Sequence, residues 1–397
     1  MPPANGSVTT KQLNALESPT AAELMRRASA MLPALKERAA RTEELRRLPE
    51  ETVADLLASG LYRIGVPIRY GGLDADYALA LDVAAELGRA CPATAWCYGL
   101  WVAHAWLVGY WPEPAQEEVF GSNPDALCSS SLNVGRSTCT PADSGYRLTG
   151  RWEFSSGCDA ASWLMLGVPG IGERNWALVP RGDYTIVDTW FVSGLKGSGS
   201  KDIVVEDLFI PAHRILDVTT AGNGNWTGWE LHRQSRYRVP IPALLGWDLV
   251  APMLGIAQGM LDEFIAKTAG TAGAAKSADA PAVHIRLSQA AAEIDAGKAL
   301  MDRDVRETLD RAAAGQTFTT LERAKYRRDK AYVTQLCLQA VNRIFDISGG
   351  HGLFESDPLQ RFHRDAHAVA HRDTLIMDLG GQEYGRVVLG LDAEGRI

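Results

Sequence analysis

The sequence predicts a mainly α protein with a central β domain: a helical region, then an antiparallel β barrel or sandwich, then a C-terminal four-helix bundle. Three observations predict it. Apolar residues recur at three-and-four spacing up to about residue 125 and again from about 240, the period of amphipathic helices. Between them lie short β-branched and aromatic runs cut by Gly, Pro and Asp, with no helix alternating with them, so a doubly wound parallel sheet is excluded. The 397 residues, 46% hydrophobic and 22% charged, suffice for two or three packed units.

In chain order, residues 1–20 are polar, lack the layout of a signal peptide, and are read as a disordered arm. The N-terminal helical domain is placed at 21–125, with Pro49 in the first turn of a helix and Gly71-Gly72 as a break. After Pro92 the run ATAWCYGLWVAHAWLVGYW is apolar nearly all round, so that helix should be buried. The β domain is placed at 126–235, from GYRLTGRWEFSSG, SWLMLGV, NWALVPRGDYTIVDTW and KDIVVEDLFIP. The bundle takes 236–397, with AGTAGAAKSADAPA as a flexible loop and the loop from about 217 to 235 shaping a pocket.

A formal net charge of −8 argues against nucleic acid or an anionic membrane as partner, since both need a basic face. No apolar run reaches spanning length, and a cytoplasmic protein is expected. The six cysteines form no C-x-x-C pair and no zinc pattern, so no metal is expected. Eleven Trp against nine Phe hint at aromatic-lined pockets. No G-x-G-x-x-G sits in a βαβ unit, and KGSGSKD lacks the spacing of a phosphate loop. A nicotinamide is therefore not held by this chain.

Together, PIRYGG, RACPATAW, GYRLTGRWEFSSGCDAASW, VDTWFVSGLKGSGSKDIVVEDLFIP and QRFHRDAHA resemble the flavin monooxygenases related to acyl-CoA dehydrogenases, the oxygenase components of two-component systems. The resemblance implies the acyl-CoA dehydrogenase-like fold, a homotetramer, and reduced flavin supplied by a separate flavin reductase. It also implies molecular oxygen as co-substrate and a small aromatic substrate, a phenol, indole or fused polycycle, hydroxylated through a flavin C4a-hydroperoxide. N- and S-oxygenation are the alternatives within the fold. Reduced FAD is taken as the cofactor with FMN as the alternative, because the adenine end is poorly marked. Dehydrogenases of this fold resemble one another in a Tyr-Glu-Gly-Thr segment whose Glu is the base; here RDAHAVAHRDTL stands in its place, with Asp373 the only nearby carboxylate. That argues against acyl thioester dehydrogenation.

The same resemblance assigns the site. Ser155 or Ser156, preferably Ser155, bonds the flavin ring, and Trp152 and Trp190 are candidates for packing on it, with a core Trp as the alternative reading of each. Lys196 stands in a turn bordering it, where relatives often carry Arg. His104 and Ser130 face the aromatic substrate, the His removing the phenolic proton or orienting the ring; Ser129 and Ser131, which in a strand face the side opposite Ser130, are the alternative inward residues. A lone His on an apolar helix otherwise reads as a core residue, and a turn serine as satisfying its own backbone. Arg238 contacts the flavin or the hydroxylation site, with Arg236 on the same face if the segment is extended. His371, preferred to His367 or Arg372, supports the oxygenating group, although one residue is missing from the family spacing before it, a rotation of about 100° on a helix, so either the helix is locally adjusted or His371 is displaced. Gly349, Gly350, Arg361 and Arg364 are the candidates for the flavin phosphates, the glycine turn reaching a neighbouring subunit's dinucleotide.

Overall fold

The computed structural model describes residues 19–172, 174–219, 227–270 and 280–394. The expected arm lies almost wholly outside the described residues, as do most of the Gly- and Ala-rich loop and part of the pocket loop. The chain opens with helices α1 (Ala21–Leu45), α2 (Glu50–Ala58), α3 (Tyr77–Gly88), α4 (Pro92–Val108) and α5 (Glu113–Phe120). Thr20 caps α1 by accepting from the Glu23 amide, Asp76 caps α3 through the Ala78 amide, and Pro49 stands at the N-cap of α2. Each cap satisfies or dispenses with an amide that the first turn leaves unpaired.

Among the described residues eight strands follow: β1 (Cys128–Ser131), β2 (Arg136–Ala142), β3 (Gly145–Ser155), β4 (Trp163–Val168), β5 (Asn175–Pro180), β6 (Thr185–Val187), β7 (Lys201–Pro211) and β8 (Ile215–Asp217). They form two four-stranded sheets, ordered β1-β4-β5-β8 and β2-β3-β7-β6. The fold is thus a sandwich and not a closed barrel. Nor is it wholly antiparallel: β1 runs parallel to β4, Cys128 opposite Trp163. The reason is connectivity. Strand β1 is reached from α5, and the β2–β3 hairpin of the other sheet intervenes before β4, so no tight turn forces the pair antiparallel. Leu148, Trp152, Leu164, Leu166, Ile203 and Val205 fill the space between the sheets.

Helix α6 (Thr227–His232) and a one-turn helix at Ser235–Arg238 lead into α7 (Ile241–Leu244), α8 (Trp247–Gly270), α9 (Pro281–Ala313), α10 (Thr320–Asp346), α11 (Pro358–Ala370) and α12 (Met377–Val388). Helicity therefore resumes inside the stretch read as β domain. Thr319 and Glu322 form a capping box at the start of α10. Among the described residues one helical stretch, Ile241–Ala269, is long and apolar enough to cross a membrane, and it is 89% buried inside the protein. One core runs from α1 through α3, α4 and α8 into the bundle.

Candidate active site

Helix α4 is the spine of the site. Its composition leaves it no solvent face, and every residue but Leu100 is buried, so its polar side chains must find partners inside. His104, 1% exposed, does so. Its Nδ1 lies 2.8 Å from the Cys128 carbonyl oxygen and its Nε2 2.8 Å from Ser130 Oγ. A carbonyl can only accept, so Nδ1 carries the proton and Nε2 accepts from the Ser130 hydroxyl. Burial pushes the imidazole down to about 4, against the raising effect of the Cys128 bond; the ring is neutral at neutral pH. Ser130 spends its one hydrogen on His104 and keeps oxygen lone pairs for an incoming donor.

Strand alternation makes Ser130 the member of its triplet that faces α4. Ser129 and Ser131 point the other way and donate to the Ser156 and Glu153 carbonyls, each at 2.7 Å. Those carbonyls belong to the end of β3 and the residue just after it, where pairing with β7 shifts between Trp152 opposite Ile203 and Ser155 opposite Lys201. The extra residue puts Phe154 at φ 66° and re-aims the side chains beyond it, as a bulge does.

Beyond the bulge the two serines part company. Ser156 Oγ accepts from Trp96 Nε1 at 3.0 Å and is bonded to Ser200 Oγ, which meets Ser198 Oγ at 3.0 Å. Ser155 Oγ is fully buried with no partner. The same holds for the Trp101 indole nitrogen, which lies where a side chain at Gly157 would be: a Cβ there would meet it at 2.7 Å, and the residue is at φ +70°. A buried hydroxyl or N–H without a partner costs about 1–3 kcal/mol, so one on this turn and one packed against it make the turn a candidate place for a ligand's polar edge. The donors, with Trp96 and Trp101 around them, fit the heteroatom-rich edge of a flavin ring.

The other candidates are distributed unevenly. Trp190 is half-buried in the turn that precedes β7, its Nε1 donating to the Leu195 carbonyl at 3.0 Å, with exposed Phe154 edge-on to it. Lys196 opens the one-turn helix Lys196–Ser198 in the same segment. Trp152, by contrast, lies between the sheets with no exposed surface, its Nε1 donating to the Gly167 carbonyl at 2.9 Å; it supports the sandwich and presents no open face to a ring.

Arg236 and Arg238 do not share a face, because Ser235–Arg238 is a 3-10 turn and not an extended segment; in such a turn, residues two apart point about 240° apart. Arg236 is buried and donates to the Ile64 carbonyl at 2.6 Å, whereas Arg238 lies 3.6 Å over the Trp229 ring. His371 stands at the C-cap of α11, exposed, with Nδ1 bonded to its own helix at the His367 carbonyl, 2.7 Å away. It shares no hydrogen bond with the His104–Ser130 pair. Asp373, just beyond it, is exposed and paired with Arg372 at 3.4 Å.

Gly349 takes φ +69°, and neither it nor Gly350 would bring a Cβ within 4 Å of anything; the turn is open, with Leu353 and Phe354 exposed beside it. Arg364 is engaged on three sides, by the Ser193 carbonyl, by Gln360 at 2.7 Å and by Glu43 at 2.9 Å, while Arg361 stands 4.0 Å from the same Glu43. Glu43, Trp96, Trp101 and Asp365 escaped the sequence reading. The Trp excess pointed toward the two indoles, and Asp365 lies inside a segment already singled out.

Residues 21–120 match the family model described as acyl-CoA dehydrogenase, N-terminal domain, and residues 248–374 match that described as acyl-CoA dehydrogenase, C-terminal domain. The chain is 35% identical to the flavin-dependent monooxygenase oxygenase subunit HsaA of Rhodococcus jostii, across 87% of this chain and 92% of the relative. It is 34% identical to the FADH(2)-dependent resorcinol hydroxylase, oxygenase component, of a Rhizobium species, across 94% and 95%. The crystal structure of a 3-HSA hydroxylase from a Rhodococcus species superposes with a TM-score of 0.90 at 33% identity, covering 94% of this chain and 98% of that one.

Proposed function

We infer, from a chain that belongs to the oxygenase components of flavin-dependent monooxygenases built on the acyl-CoA dehydrogenase fold, that its own reaction is hydroxylation of a small phenolic substrate at carbon. The observation that carries this reading is the His104–Ser130 pair, a neutral imidazole whose only free capacity is to accept a proton through a serine. Molecular oxygen would supply the transferred atom, and bound reduced flavin the two electrons that take the other oxygen atom to water. This chain's residues bind, orient, exclude water and move the proton.

A phenol in the pocket donates its O–H to Ser130 Oγ, Ser130 donates to His104 Nε2, and His104 Nδ1–H donates to the Cys128 carbonyl. Magnitudes decide the timing. An ordinary phenol titrates near pKa ~10 and the buried imidazole near about 4, so full transfer from the resting phenol would be uphill by about 8 kcal/mol. At rest the relay therefore orients the ring and polarises its O–H. As the ring gives electrons to the arriving oxygen, its hydroxyl becomes strongly acidic, and the proton then passes to Ser130 and on to Nε2. The sealed walls of α4 keep water from the reacting atoms.

Ser155 and the Trp101 N–H hold the flavin's polar edge, and Trp190 and Lys196 border it. The cofactor is FAD. The Gly349-Gly350 turn, with Leu353 and Phe354, meets a neighbouring subunit of a homotetramer. A separate reductase supplies the reduced flavin, and the enzyme works in the cytoplasm. The test loads the protein anaerobically with reduced FAD and a panel of phenols, then admits isotopically labelled oxygen. A catechol or hydroquinone carrying one labelled atom is expected; flavin oxidation with every phenol returned unchanged would overturn the reading.

A further inference from the structure

Asp365 is a carboxylate with almost no solvent contact, 2% exposed, on the face of α11 turned toward the β domain. Its Oδ1 accepts from the Leu195 amide at 2.6 Å. Leu195 is at φ 50°, a conformation that a non-glycine residue adopts only when its surroundings hold it there. The Leu195 carbonyl in turn accepts from Trp190 Nε1, and Lys196 comes next in the chain. The turn lies directly on the helix: a Cβ at Gly194 would be 2.2 Å from the Arg364 carbonyl oxygen. Arg364 donates to the Ser193 carbonyl and to Glu43 of α1. Arg46, just after α1, binds Asp188 at 2.6 Å and stacks on Phe191 at 4.0 Å. Two segments distant in sequence, α11 and the end of α1, thus converge on 188–196.

We propose that Asp365 is a positioning residue for the flavin site: it fixes the Leu195 amide and, through it, sets where Trp190 and Lys196 stand. The inference rests on the reading that those two side chains border the flavin. A surface turn would not need a buried acid to hold one amide. An ionised carboxylate makes a stronger acceptor than a neutral one, and burial pushes Asp365 up to about 7. The groups facing it are Glu43 from α1, which raises it, Arg361 and Arg364 of its own helix, which lower it together with the Leu195 bond, and Cys91 ahead of α4. The turn is held more firmly as pH rises through that value, so flavin affinity should rise with it.

The experiment compares wild type, Asp365→Ala and Asp365→Asn in two readouts. In flavin-free protein, amide exchange of 190–198 should accelerate in the Ala variant and return toward wild type in the Asn variant, whose carbonyl still accepts the N–H. Anaerobic titration should give a reduced-flavin Kd raised about tenfold by Ala and about twofold or less by Asn, with the inflection near neutral pH lost in both. Faster exchange with an unchanged Kd and an unchanged pH profile would overturn the proposal. Trp190→Phe and Lys196→Ala separate the two layers. If these weaken flavin binding and Asp365→Ala does not, the positioning role alone fails. If neither affects flavin binding, the flavin is not at this turn and both readings fall.

Discussion

Replacing Ser130 by alanine cuts the relay at its middle. The substitution removes the oxygen offered to the phenol and leaves His104 Nε2 an acceptor without a donor, in a ring 1% exposed. An unmet buried group costs about 1–3 kcal/mol, so where the bond persists in the transition state, product formation should slow about tenfold to a hundredfold. His104→Ala removes the terminal acceptor. General acid–base groups contribute about a hundredfold to ten-thousandfold, and an imidazole pushed down to about 4 belongs at the weak end of that range. The two sites form one path, since among the described residues His104 has no partner besides the Cys128 carbonyl and Ser130. The double variant should therefore be no slower than the slower single, a full departure from additivity. The assay is a single turnover: reduced flavin and a phenol are pre-bound without oxygen, oxygen is mixed in, and product per flavin is followed by chromatography. Flavin affinity should stay at the wild-type value. Losses that multiply, to about a thousandfold or more, would show that the residues act separately and would refute the relay.

Three further outcomes rest on the same geometry. Because burial holds His104 near about 4, below its ordinary ~6.5, the unfolded chain takes up that proton first as pH falls; stability is fully present above ~6.5 and lost toward ~4, about 2 kcal/mol of it between pH ~7 and ~5. His104→Phe should flatten the denaturant-measured pH dependence by about that amount, and an unchanged slope would contradict the assignment; His232, also pushed down to about 4 by burial, keeps a residual slope in the variant. Ser155→Ala should weaken flavin binding with little effect on the unliganded protein's melting. Ser156→Ala should do the reverse, because it breaks the network with Trp96 and Ser200. Lys330→Ala strips the donor that binds the carbonyls of Pro242 at 2.7 Å, Ala243 at 3.2 Å and Leu245 at 2.9 Å in and around α7. The expected cost is about 2–4 kcal/mol of stability with flavin affinity unchanged.

What the sequence made legible is what local periodicity controls. The all-apolar run after Pro92 became the buried helix α4, and the alternation of CSSS placed Ser130 opposite its neighbours. Where long-range pairing decided the outcome, the pattern was silent. The parallel β1–β4 pair joins residues separated by a whole hairpin, and Trp152 reads the same whether its strand's inner face meets a ring or a second sheet. The 3-10 turn at Ser235–Arg238 separates two arginines that an extended segment would have kept together; nothing in S-R-Y-R announces it. Asp365 was hidden for another reason. Its partner is a backbone amide in a different domain, and an amide leaves no mark in a sequence.

The back of α4 is tied down as firmly as its front. Trp106 Nε1 and Tyr110 OH, on and just beyond the helix, both reach the Arg236 carbonyl at 3.3 Å, and Tyr110 also reaches the Val239 carbonyl at 3.0 Å. A helix riveted on both sides cannot shift to admit a bulkier guest, so tolerance for new guests must come from the rim, the segments that border α4. Directed evolution toward other aromatics should leave 92–110 alone and randomise the rim, and natural relatives with different diets should have diverged in the same place.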